Sequence, residues 1–126
     1  MTTPGARERS HPYRENGSGT VLALSMVFVL LALMSAVLML VQISVATQRA
    51  ATAADLGALA GADAARGLTT GEPCDVAHEV VVRQQATMVS CAIEGSDRDV
   101  VGVLASVELP APWGTATRRA RAGPPP

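Results

Sequence analysis

The alternation of apolar and polar positions divides the chain into stretches of different character. From Val21 to Val41 the residues read VLALSMVFVLLALMSAVLMLV, with no charge and only Ser25 and Ser35 as polar side chains. At about 1.5 Å per residue, a helix over this stretch is roughly 31 Å long, close to the hydrocarbon thickness of a bilayer. Inside lipid the backbone must bond to itself, so a lone apolar segment of this length predicts a transmembrane helix. The rival is a cleavable signal peptide, for which Ser44-Val45-Ala46 has the small-x-small form of a cleavage site. Such peptides use a shorter apolar region, of about 7–15 residues.

Past Val41 the side chains shrink, but nothing stops the helix. The segment QISVATQRAATAADLGALAGADAARG has no proline and is rich in alanine, the best helix former. It predicts one helix from about Thr20 to Arg66. Small residues recur at every fourth position in two rows, Ala50, Ala54, Ala58, Ala62 and Ala53, Gly57, Gly61, Ala65. Rows spaced i, i+4 share a helix face. A face without side chains lets another backbone approach closely, which offsets the roughly 1 kcal/mol of helix propensity each glycine costs. These eight residues form the expected packing face, docking on a partner helix just outside the bilayer. The alternative is a plain alanine-rich spacer. Leu56 and Leu59 add a narrow apolar edge, while Asp55 and Asp63 face water.

The cluster GLTTGEP (Gly67–Pro73) ends the helix. In CDVAHEVVVRQQ, Ala77, Val81 and Gln84 have helical spacing, although Val80-Val81-Val82 also suits a strand; the reading is a short helix. TMVSCAIE reads as a strand, GSDR as a turn and DVVGVLASVEL as a second strand. There Val101, Val103, Ala105, Val107 and Leu109 alternate onto one buried face. Pro110, Pro112 and Gly114 break it, and Trp113 in that turn is expected as a satellite core residue. TATRRARAG is an edge strand or a tail, and its basic residues suit an exposed edge.

The expected fold class is α+β. A long N-terminal transmembrane helix extends into a small extracytoplasmic head made of a short helix and an antiparallel β-hairpin or small sheet. Residues 1–19 form a disordered cytoplasmic tail, 20–43 the span, 44–67 its Ala/Gly-rich continuation, 68–123 the head and 124–126 a disordered tail. Arg7, Arg9 and Arg14 precede the span and Arg49 alone lies close behind it, which places the N-terminus in the cytoplasm.

A net charge of −1 gives no reason to expect a nucleic-acid partner. Aromatics are 2% of the chain, so a head of this size has thin material for a core and gains from a staple. Cys74 and Cys91 both fall on the expected outer side, where disulfides persist; the alternative is two free buried thiols. A helix running from Cys74 to Met88 would hold their Cα atoms too far apart for a bridge. The bridge therefore requires the short helix to end near Gln84–Ala86. His78 is isolated, so no metal site is expected. Glu72, Asp75 and Glu79 suit the start of a helix, and Arg118, Arg119 and Arg121 a solvated edge. No P-loop, dinucleotide fingerprint or HExxH motif is present, so neither a cofactor nor a catalytic set is assigned.

The segments GSGTVLALSMVFVLLAL and QRAATAADLGALAGA, the two cysteines and the ending RRARAGPP together resemble the TadE/TadG-like proteins of actinobacteria. The resemblance covers nearly everything from Gly17 to Pro124, and AADLGALAGA is its most specific part. It implies a pilin-like layout and a structural or assembly role in a tight-adherence (Flp-type) pilus or secretion apparatus. Expected partners are other pilin-like membrane proteins, the bilayer and a second copy of the chain. Gly17 and Gly19 are the implied processing positions. Where pilin-type segments carry a glutamate, this chain has Leu22, which fits a minor or membrane-retained component. Two alternatives from other classes are a membrane-anchored extracytoplasmic binding module and a secreted protein cleaved near Ala46.

Overall fold

A computed structural model describes Gly5 and residues 17–125. Most of the expected cytoplasmic tail, with Arg7, Arg9 and Arg14, lies outside the described residues, as does Pro126. The described residues form an α+β chain of α1 (Ser18–Ala65), α2 (Pro73–Arg83), β1 (Thr87–Glu94), β2 (Val100–Glu108) and β3 (Thr115–Ala122). It separates into two compact units, Met1–Val37 and Leu38–Pro126, and α1 contributes to both.

In the first unit α1 begins two residues before the expected start, so Ser18 and Gly19 are helical rather than part of the tail. Gly17 forms the turn ahead of it. Its carbonyl accepts from the Val21 amide and the Thr20 hydroxyl, which extends the ladder back past the apolar run. The side chains from Val21 to Val37 are exposed. The Ser25 and Ser35 hydroxyls donate to the Leu22 and Leu31 carbonyls at 2.8 Å each. Both polar groups are thereby satisfied within the helix itself.

In the second unit α1 runs on to Ala65. Gly67 then takes φ +74°, its amide donates to the Ala64 carbonyl, and the Leu68 amide reaches the Asp63 carbonyl. This left-handed closure satisfies the last carbonyls and stops the helix. α2 starts on Pro73, whose fixed φ and missing N–H suit the first helical position. It stops by the same device as α1. Gln85 at φ +58° donates to Val82, and Ala86 donates to Val81.

The three strands form one antiparallel sheet in the order β1-β2-β3. β2 pairs on both sides, with Val103 opposite Cys91 and Ala120. TATRRARAG is thus a strand, and its free edge carries the arginines. A bulge shifts the register between Met88 and Ser90. Along β2, Val101, Val103, Ala105 and Val107 are buried, and Leu109, beyond the strand's end, is half-buried. Their partners in the core are Ala77 and Val81 of α2 and the alanines of α1. The core holds no large side chains; Val81, Val101 and Val103 are its largest fully buried ones.

Candidate functional site

The two cysteines are joined. Cys74, in the first turn of α2, is bonded to Cys91 in the middle of β1, with Cα atoms 5.9 Å apart. α2 ends at Arg83 with Gln84 as its cap, so the chain turns back early enough for β1 to bring Cys91 beside Cys74. The bond ties the helix to the sheet at a point where the core has little bulk to do so.

The small-residue face of α1 is where close approach occurs, but its neighbour is not another chain. Ala50, Ala53, Ala54, Gly57, Ala58, Gly61 and Ala62 are buried and Ala65 half-buried, all within the chain's own head. A Cβ on Gly57 would meet a Val81 methyl at 2.7 Å and the Ala77 carbonyl oxygen at 3.3 Å. On Gly61 it would meet a Val101 methyl at 2.9 Å and the Pro73 carbonyl oxygen at 3.1 Å. The expectation of a partner helix on this face is therefore corrected: α2 and β2 of the same chain cover it. The spacing of small residues signals that some backbone comes near, and nothing in the spacing says whose.

With that face occupied, the exposed side of the same helix carries Arg49, Thr52, Asp55, Leu56, Leu59 and Asp63. Leu59 is 56% exposed and Leu56 less so. Gly17 and Gly19 are exposed, with open space around both.

The candidate polar residues do not converge. Glu72 caps α2 through its backbone, Asp75 lies in its first turn, and Glu79 pairs with Arg83 one turn on. His78 is exposed. Among the described residues no group of three or more His, Cys, Asp or Glu side chains is placed to hold a metal ion, and no polar or charged residue is buried. On the outer face of the sheet Arg121 pairs with Glu94 across Gly102. That surface is a shallow groove lined by Ser90, Ala92, Leu104 and Arg119 as well.

Trp113 departs from its expected place. It is 56% exposed and belongs to no core cluster, because the turn that carries it projects beyond the end of β2. The chain matches no known family model, no curated protein and no solved structure.

Proposed function

We propose that the chain is a single-span membrane protein, N-terminus cytoplasmic, with its disulfide-stapled head outside the membrane. In this reading it serves as a structural or assembly component of a tight-adherence-type pilus or secretion apparatus, in the manner of a minor TadE-like subunit. One observation carries the reading. A single uninterrupted helix exposes an uncharged apolar stretch long enough to cross a bilayer, and its continuation is the wall of a stapled core. A soluble chain has no reason to leave so many large apolar side chains uncovered. The internally bonded serines support lipid as their surroundings.

Because the alanine and glycine face is taken by the head, contact with neighbouring subunits falls to the exposed Leu56–Leu59 edge. The orientation rests on Arg7, Arg9 and Arg14 ahead of the span. Ala46 is buried in the head's core, so a chain cleaved beside it would begin inside that core, which favours an uncleaved anchor. Chemical crosslinking in membranes followed by mass spectrometry tests the proposal. The expected product is a membrane-retained chain with Val21–Val41 intact, linked to another single-span pilin-like protein or to a second copy. A free monomer in the culture fluid beginning near Thr47 would overturn it.

A further inference from the structure

We propose that the β2–β3 turn, Leu109–Gly114, is a second membrane contact, seating Trp113 in the headgroup layer of the outer leaflet. This rests on the membrane-span reading given above.

The direction of β2 along α1 carries the argument. Near the start of the strand Val101 lies against Gly61, and Val103 lies against Gly57, one helical turn nearer the apolar run. At the strand's end Val107, Glu108, Leu109 and Pro110 share a groove with Gln42, Val45, Ala46 and Arg49 of α1. β2 therefore runs along α1 toward Val41 and reaches the helical turn that directly follows it. Val45 lies about 6 Å beyond Val41 along the helix. The polar layer of a bilayer is roughly 5–8 Å thick on each side, so Pro110 stands at its level.

The turn is tight enough to keep Trp113 there. The Leu109 amide donates to the Gly114 carbonyl at 2.8 Å, and the Trp113 amide donates to the Pro110 carbonyl at 3.1 Å. Its chemistry suits the place. Leu109 to Gly114 carry no charge, and Pro110, Ala111, Pro112 and Trp113 are all exposed. An indole has an apolar body and one N–H, which is why tryptophan collects at membrane–water interfaces. Arg49, at the same groove, can extend its guanidinium to a lipid phosphate. The other end of the sheet is the opposite in character. The β1–β2 turn carries Asp97, Arg98 and Asp99, as a turn far from lipid would.

Trp113 is the single tryptophan of the chain, so its fluorescence reports this site alone. The full chain is reconstituted in phosphatidylcholine vesicles with and without lipids brominated on the acyl chain close to the headgroup. Expected are a blue-shifted emission, loss of most of the signal with brominated lipid, and protection from aqueous iodide. A control carries W113F together with L68W. Leu68 is exposed and follows Ala65, which lies about 36 Å beyond Val41 along the helix. Its emission should be quenched by iodide and untouched by bromine.

Carbonate extraction of the same vesicles separates the two readings. A retained chain whose Trp113 is quenched only by iodide overturns the turn's seat and leaves the span standing. A chain released by carbonate overturns both. Equal bromine quenching at positions 113 and 68 also overturns the seat, since the head would then lie flat on the lipid.

Discussion

Gly57 and Val81 approach so closely that a single added carbon would not fit between them: a Cβ on Gly57 would lie 2.7 Å from the Val81 methyl. Val81 is fully buried and β-branched, so its methyl has few rotamers to retreat into. The backbone of α2 supplies a second obstacle through the Ala77 carbonyl oxygen at 3.3 Å. The bare flank of α1 is thus the floor on which its own head is built.

Replacing either glycine by alanine sets two effects against each other. Alanine gains about 1 kcal/mol of helix propensity. Overpacking a well-filled core costs about 1–3 kcal/mol. At Gly61 the obstacles include the Pro73 carbonyl oxygen at 3.1 Å, which is backbone and cannot rotate away, so the cost should win there. Gly61→Ala should lower the stability of the detergent-solubilised chain by about 1 kcal/mol in urea unfolding. Gly19→Ala, with nothing within 4 Å of the added carbon, should leave it unchanged or raise it. A raised midpoint for Gly61→Ala, the gain of about 1 kcal/mol that an uncovered helix face would give, would mean that the head does not rest on this face.

Gln85 gives the opposite sign. It closes α2 at φ +58°, in the left-handed region that costs a residue with a Cβ about 1–2 kcal/mol. Glycine enters that region freely and is the usual residue at this helix position. Gln85→Gly should therefore stabilise the head by about 0.5–1 kcal/mol, after allowance for the extra entropy of glycine in the unfolded chain. A lowered midpoint would show that the side chain of Gln85 does something more than tolerate the turn.

The disulfide should matter more than any single core contact. It closes a loop with a sequence separation of 17, for which the chain-entropy model expects about 3 kcal/mol. The core it supplements has no buried side chain larger than valine among those fully enclosed. Replacing Cys74 and Cys91 together by serine should lower stability by about 2–4 kcal/mol. Maleimide should label the wild-type chain only after reduction. Coincident unfolding curves with and without reductant would remove the staple from the account.

Much of this head is legible in local sequence because local rules determine it. The bounds of β1 follow from TMVSCAIE standing between a helix end and a glycine turn, and the buried positions of β2 follow from strict alternation. The end of α2 near Gln84 follows from the reach of a disulfide. What is not legible is which surfaces meet. The rows through Gly57 and Gly61 announce a close neighbour, yet a partner helix and the chain's own α2 leave the same trace. Trp113 is misplaced for the same reason. Whether the residue in that turn is covered depends on what packs over it, and Trp113 stands 56% exposed outside the core cluster. TATRRARAG has no alternation strong enough to separate strand from tail, and its pairing with β2 decides it.

The apolar stretch of α1 carries the last prediction. Leu31 is at the centre of Val21–Val41 and its side chain is exposed. An arginine at the centre of an inserted helix costs about 2.5–3.5 kcal/mol on the insertion scale, so Leu31→Arg should cut the carbonate-resistant fraction sharply. Ser25→Ala and Ser35→Ala should change nothing, because each hydroxyl bonds to its own helix and offers no donor to a neighbour. The contrast separates two roles for the stretch. If lipid surrounds it, charge is costly and the serines are idle. If another protein surrounds it, an arginine can find a partner and the serines can be recruited as glue. Retention of Leu31→Arg at the wild-type level, together with loss of association on Ser35→Ala, would place Val21–Val41 inside a protein assembly rather than in the bilayer.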